Sequence, residues 1–385
     1  MKKIQLSFKR PAHSEVLIYD EVGSEFIVAA LGGHFHRQVL KVRGRRINLS
    51  LRVVLQMCYL LLGRRGLNER RALITDPKLF MELAEIDSIS PKVVVTFVDN
   101  SSRFSSLSRL YPRAFFLAVQ NGFRGIEVAD MAGDLNVSNL FCFGEDTRNR
   151  YQNSGCDVGR YIMGGSLKDG LYRERFPQEE KVEFDFCWIS QFRPKRFSET
   201  LPGLAHNSIT LLQFLYEYCK ESGKSLAIAG SCKSNALTEE IEFLRKYIDL
   251  TRVTFVPNDP LGFSSYQVID KSEVSVTVNS TIGFEAFSRG NKVVFCNFTN
   301  DPYYDVPGIA QQKPWIIRGP EITYSQFSMK LDDVHQKKRE IWRGLTQIDA
   351  QKFVKTTQSL LPQEILRREI TRAMSGKMAV GTELE

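Results

Sequence analysis

Short apolar runs rich in β-branched and aromatic residues alternate along the chain with longer stretches whose apolar residues recur every three or four positions. In the first part, VLIY (16–19), KVVVTFV (92–98), AFFLAV (114–119), LFCFG (140–144) and YIMGG (161–165) predict strands. Helical patterns fall between them at about 47–63, 78–86, 101–110 and 145–154. After Pro177 and the charged stretch QEEKVEFD the alternation begins again. Strands are predicted at FDFCWIS (184–190), SLAIAG (225–230), VTFVP (253–257), VSVTV (274–278) and KVVFCN (292–297), with SITLLQFLYEYCKES and TEEIEFLRKYI as helices between. Runs that are apolar throughout are buried on both faces, and their alternation with helices implies parallel sheets covered by helices. The expected fold is α/β: two Rossmann-like domains facing a cleft, over 1–172 and 183–325, with a linker near 172–182. Residues 326–376 read as helices that follow the second sheet.

A length of 385 residues leaves room for two domains. With 43% hydrophobic and 25% charged residues, disorder is excluded as the main state. The longest nearly uncharged apolar run, Val53 to Leu62, is shorter than the ~18 residues of a spanning helix. The opening MKKIQLSFKRPAHSE lacks the apolar core of a secretion signal, so the expected location is the cytoplasm. The closing GTELE reads as a cloning scar.

Lys and Arg number 52 against 44 Asp and Glu, and this net +8 favours an anionic partner: a nucleotide, a phospholipid surface or nucleic acid. Between Arg37 and Arg71 stand ten Lys or Arg and one acid, Glu69, around the apolar run VVLQMCYLLL. Such a segment suits the anionic inner face of a membrane, where lipid-linked acceptors are found. The alternative is a core helix whose ends are solvated by arginines. No RRM, KH or helix-turn-helix pattern accompanies the charge, so nucleic acid is not an expected partner. Seven scattered cysteines form no C-x-x-C pair, and His34 with His36 are too few ligands to predict a metal site.

No G-x-G-x-x-G follows the first strand, where LIYDEVGSE stands, and no Walker A, G-x-S-x-G or H-E-x-x-H sequence occurs. Ligands of open α/β sheets bind outside the carboxyl ends of the strands. After VSVTV, the turn Asn279, Ser280 and Thr281 precedes a helix starting near Ile282. Hydroxyls there cap the free N–H groups, and the same groups hold a phosphate. Gly283 would let a ligand approach, and Glu285 would accept from a ribose hydroxyl. An ordinary cap with a packing glycine is the bland alternative.

Asp99 follows VVVTFV and would face the cleft as general base or nucleophile, or else it or Asn100 caps the next helix. Gln120 and Asn121 would line the same cleft. Asp20 and Glu21, after the first strand, are the next carboxylates for acid/base work. In the second domain Gly230 and Ser231 suit a base or phosphate contact, and Arg193 would neutralise a diphosphate or a sugar carboxylate.

The sequence N-S-T-x-G-x-E-A followed by G-N-K-V-V-F resembles the nucleotide-phosphate segment of GT-B glycosyltransferases, above all bacterial transferases of Kdo and related sugars. The stretch VVVTFVDNSSRFSSLSRLYPRAFFLAVQNG is similar to the T-x-x-D-N … Q-N-G pattern of surface carbohydrate or O-antigen biosynthesis proteins, as is VLIYDEVGSEFI to their first strand and loop. Related Kdo and sialic acid transferases often carry a His-Pro pair in the second domain. Here that strand ends in FVPNDP, with Asn258, Asp259 and Pro260 in its place. The resemblance implies a GT-B enzyme that moves a sugar from an activated donor, nucleotide-linked and CMP-Kdo-like among the options. The acceptor would be a saccharide, free or lipid-linked, in O-antigen or capsule assembly, and no cofactor or bound metal would be needed. The alternatives are a non-hydrolysing UDP-sugar 2-epimerase and a non-catalytic binding protein of the same fold.

Overall fold

A computed structural model describes residues 5–44, 46–62, 74–125, 135–177, 181–194, 197, 201–306, 313–356 and 359–376. The expected scar at 381–385, and Arg45 and 63–71 of the basic segment, lie outside them.

Two six-stranded sheets, parallel throughout, form the two halves of the chain. The first runs β3-β2-β5-β6-β7-β8, from β2 (Val16–Tyr19), β3 (Arg37–Leu40), β5 (Val93–Thr96), β6 (Phe115–Val119), β7 (Asn136–Cys142) and β8 (Asp157–Met163). The second runs β11-β10-β9-β12-β13-β14, from β9 (Phe184–Ile189), β10 (Leu226–Ala229), β11 (Thr254–Val256), β12 (Ser272–Thr277), β13 (Lys292–Asn297) and β14 (Ile316–Arg318). A separate parallel ribbon pairs β1 (Gln5–Ser7) with β4 (Arg46–Asn48).

The apolar runs lie where their composition requires: Val16 to Ile18 and Val93 to Val95 have no exposure, with helices on both faces. The edge strands β3 and β14 escape the pattern because a half-covered strand needs no continuous apolar run. Local signals fix the helix starts. Ser101 caps Ser102–Leu110 by accepting from the Phe104 N–H at 3.2 Å, so the cap belongs to Ser101 and not to Asp99 or Asn100. Ser166 caps Leu167–Arg175 in the same way, accepting from the Asp169 N–H. That helix runs past the domain end expected at 172, so the linker begins only after it.

The C-terminal helices divide between the domains. Tyr324–Gln336 and Arg339–Phe353 bury Phe327, Leu331, Trp342 and Phe353 in the core of the second sheet. Pro362–Met374 instead crosses back, and Leu366 and Ile370 join Phe26, Ile27 and Leu171 in a core of the first domain. The expectation that all of 326–376 follows the second sheet is corrected for this helix. Its apolar stripe fills the groove between Ser24–Leu31 and Leu167–Arg175, and Arg160 pairs with its Glu369 at 2.8 Å.

Arg289, at the end of the Thr281–Ser288 helix, joins the domains. Its guanidinium meets Asp169 of the first domain at 2.5 Å and Asp270 of the second at 2.6 Å, with its side chain 1% exposed. Tyr172 also donates to Asp270 at 2.8 Å. Removing one partner from a buried pair strands the other charge, so Arg289→Ala should cost about 3–5 kcal/mol in urea unfolding. A loss below about 1 kcal/mol would show that this pair does not hold the domains together.

Candidate active site

Loops from the carboxyl ends of both sheets meet across one cleft. On the second-domain side, β12 ends at Thr277, and Ser280 is the N-cap of Thr281–Ser288 with no side-chain cap bond. The Gly283 N–H reaches the Ser280 carbonyl at 2.9 Å, while the earlier N–H groups of the helix precede its first intrahelical bond, the kind of helix start that can hold an anion. The Thr281 hydroxyl accepts from the Phe123 N–H of the first domain at 2.9 Å, and the Phe123 ring stacks on Phe284 at 3.6 Å. Asn279 exchanges side-chain and backbone bonds with Gln191, both at 3.1 Å, tying the ends of β9 and β12.

Two expected contacts here prove structural. A Cβ on Gly283 would lie 2.8 Å from the Thr277 methyl, so this glycine makes room for the sheet and not for a ligand. Glu285 is buried, accepting from the Ser166 hydroxyl across the domains and from Tyr266 at 2.5 Å. It cannot reach a ribose in the open cleft. Burial, then Asp169, pushes its carboxyl above the usual range.

The loop after β10 is organised by Glu240, which sequence reasoning missed. Its buried carboxylate accepts from the Ser190 hydroxyl at 2.6 Å, the Ser231 N–H at 2.9 Å and the Cys232 N–H at 2.8 Å. The Ser231 hydroxyl donates to the Phe192 carbonyl at 2.7 Å, so the expected phosphate contact is already engaged. A Cβ on Gly230 would lie 3.0 Å from the Phe255 ring, again a packing requirement. Asn258 donates to the Ser231 carbonyl at 3.0 Å, and Asp259 closes its own turn by accepting from Gly262. Arg193 is exposed and donates to the Phe192 and Ser231 carbonyls at 2.8 and 2.7 Å.

The first-domain carboxylates are also engaged. Asp99 has no side-chain exposure, pairs with Arg124 at 2.6 Å and accepts from Tyr151 at 3.1 Å. Asn121 accepts from Arg124 at 2.9 Å, Gln120 accepts from the Phe143 N–H at 2.8 Å, and Asn100 is exposed. Asp20 holds Arg43 at 2.9 Å, and Glu21 accepts from the Val42 N–H at 2.9 Å. All three carboxylates tie their loops to neighbouring ones.

Two residues not singled out from the sequence stand at helix starts of the first domain. Glu25 stands in the first turn of Ser24–Leu31, after Gly23 in the left-handed conformation at φ 70°. Lys168 stands in the first turn of Leu167–Arg175, with its amine 4.9 Å above the Phe26 ring and 5.4 Å from that of Phe97. Burial lowers the Lys168 pKa; Glu285 and Glu25 oppose the shift, while Lys233 and Arg193 add to it. Lys168 therefore faces charges of both domains. The sequence signals were short: Gly-Ser-Glu after the first strand, and Ser-Leu-Lys after Gly164 and Gly165. Among the described residues, no three His, Cys, Asp or Glu side chains gather as a metal site requires.

Two such domains facing a ligand crevice define the GT-B class of fold, and solved structures agree over nearly the whole chain. UDP-GlcNAc 2-epimerase from Neisseria meningitidis, bound to UDP-GlcNAc, is similar at TM-score 0.52 and 13% identity, over 93% of this chain and 99% of that one. The Methanocaldococcus jannaschii UDP-GlcNAc 2-epimerase, in complex with UDP-GlcNAc and UDP, gives 0.51 and 12%, over 96% and 99%. The wall teichoic acid polymerase TagF gives 0.52 and 10%, over 96% and 91%. Identities this low establish the fold alone. Residues 117–307 match the model of a family described as "putative O-antigen biosynthesis protein". A comparison with the curated proteins gives no match. The chain thus has a GT-B fold, and its central residues are similar to the O-antigen biosynthesis family model.

The Asp99 geometry changes what its substitution should do. As a cap, Asp99→Asn would leave stability nearly intact. As the buried partner of Arg124, it should cost about 3–5 kcal/mol in chemical denaturation. An unchanged midpoint would show that the pair with Arg124 adds nothing to stability.

Proposed function

We propose that the protein is a glycosyltransferase of surface polysaccharide assembly, moving a sugar from a nucleotide-linked donor to a saccharide acceptor. The observation that carries this reading is the start of the Thr281–Ser288 helix, where the Ser280 side chain makes no cap bond, together with Lys168, which feels Lys233 and Arg193 of the second domain as well as Glu25 and Glu285. Helix N–H groups and cations stabilise the charge that gathers on a leaving phosphate. The O-antigen family match over 117–307 supports the polysaccharide context.

Glu25, in the first turn of Ser24–Leu31 and close enough to influence Lys168, is assigned to the acceptor in this reading. In this scheme it takes the proton of an acceptor hydroxyl as that oxygen bonds to the anomeric carbon. The bond from that carbon to the donor phosphate oxygen breaks, and its electron pair leaves with the phosphate. Asp99, Asp20 and Glu21 act as positioning residues, because each is bound to a neighbouring loop.

A thermal-shift panel of nucleotides and nucleotide sugars tests the donor site, since a ligand at about 100 times its Kd stabilises by about 2.7 kcal/mol. Lys168→Gln should weaken donor binding roughly tenfold or more, the worth of a charged hydrogen bond, with little change in the unliganded melt. Unchanged affinity would remove Lys168 from the site. Glu25→Gln should lower transfer by about a hundredfold or more while donor affinity persists. Turnover within a few fold of wild type would refute Glu25 as the base. Conversion of UDP-GlcNAc to its 2-epimer without any acceptor would instead assign the epimerase reaction.

A further inference from the structure

The helix Leu51–Leu62 (LRVVLQMCYLLL) is apolar nearly all round, a composition suited to a helix covered on every side. One face is covered: Val53 and Leu60 are buried, and the helix packs on Pro77–Ile89. On the other, Leu51, Leu55, Tyr59 and Leu62 are 75%, 60%, 59% and 85% exposed. Spacings of four, four and three residues put them on a single stripe, and an exposed apolar patch of this kind marks an interaction surface.

Positive charge lies just ahead of the helix in the chain. Strand β4 leads directly into this helix, and beside β4 lies a cavity of about 200 Å³ lined by Lys9, Arg10 and Arg46. Glu85, also in its lining, is held by Asn48 and lies near Arg46. From Arg37 to Leu62 the sequence has no acidic residue at all. A second copy of the chain would bring the same positive flank and be repelled. An anionic bilayer complements both parts, taking apolar side chains into the acyl boundary and cations at the phosphate level. Among the described residues no helix is long and apolar enough to cross a membrane, so the contact would be peripheral.

We propose that this corner of the first domain docks on an anionic phospholipid bilayer, with Leu51, Leu55, Tyr59 and Leu62 in the interface and a headgroup phosphate in the cavity of Lys9, Arg10 and Arg46. The surface acts independently of the reaction in the cleft. Co-sedimentation of the full chain with vesicles tests it, comparing mixed phosphatidylglycerol and phosphatidylcholine with phosphatidylcholine alone. Binding should require phosphatidylglycerol and fall steeply between about 0.1 and 1 M salt, as the Debye length shrinks from about 10 to 3 Å. Lys9→Gln with Arg10→Gln should weaken it about fivefold per charge removed. Leu55→Glu with Tyr59→Glu should abolish it, and both positions are exposed enough to leave the melting temperature unchanged. No sedimentation with anionic vesicles at low salt overturns the proposal, as does equal binding to neutral vesicles. Dimers that the Leu55→Glu and Tyr59→Glu pair disperses, without vesicle binding, would also overturn it and make the stripe a self-interface.

Discussion

The cleft depends on a guanidinium sealed between two carboxylates. Arg289 reaches Asp169 on the first domain and Asp270 on the second, with almost no exposure. Taking these charges out of water is costly, and their attraction offsets that cost only while the geometry holds. The pair therefore tolerates little drift between the domains. The Ser166–Glu285 bond and the Phe123–Thr281 bond span the same boundary. Together they set the distance at which Lys168 faces the second domain.

The strand ends divide by charge. Acidic side chains there are mostly consumed by architecture: Asp99 by Arg124, Asp20 by Arg43, Glu240 by the loop at 231–232, Glu285 by two hydroxyls. Basic side chains are left without such partners, as at Arg193 and Lys168. Asp99 and Asp20 have their charge balanced by an arginine, whereas Glu240 and Glu285 are solvated by hydroxyl and N–H donors.

The fold was legible because burial on both faces writes itself into local sequence. Val93 to Val95 and Val293 to Phe295 announce central parallel strands without any knowledge of their neighbours. Edge strand β3, with Arg37 and Gln38, carries no such mark. The site was less legible, since position after a strand says where a residue lies but not what occupies it. Asp99 stands at the expected strand end, yet its partners Arg124 and Tyr151 are 25 and 52 residues further on. Gly283 reads as room for a ligand until Thr277 is seen packed against it. Lys168 becomes notable only once folding brings Phe26, Phe97 and the second domain around it.

The last helix has a mechanical consequence. Because Pro362–Met374 is anchored on the first domain, the chain passes between domains twice, once after Phe176 and again after Val354. A body tethered at one point can swivel in any direction. Tethered at two, it keeps chiefly the rotation about the line joining them. Any opening of this cleft is thereby channelled into a hinge stroke, which carries the Lys168 wall and the Ser280 wall apart and back along one fixed arc.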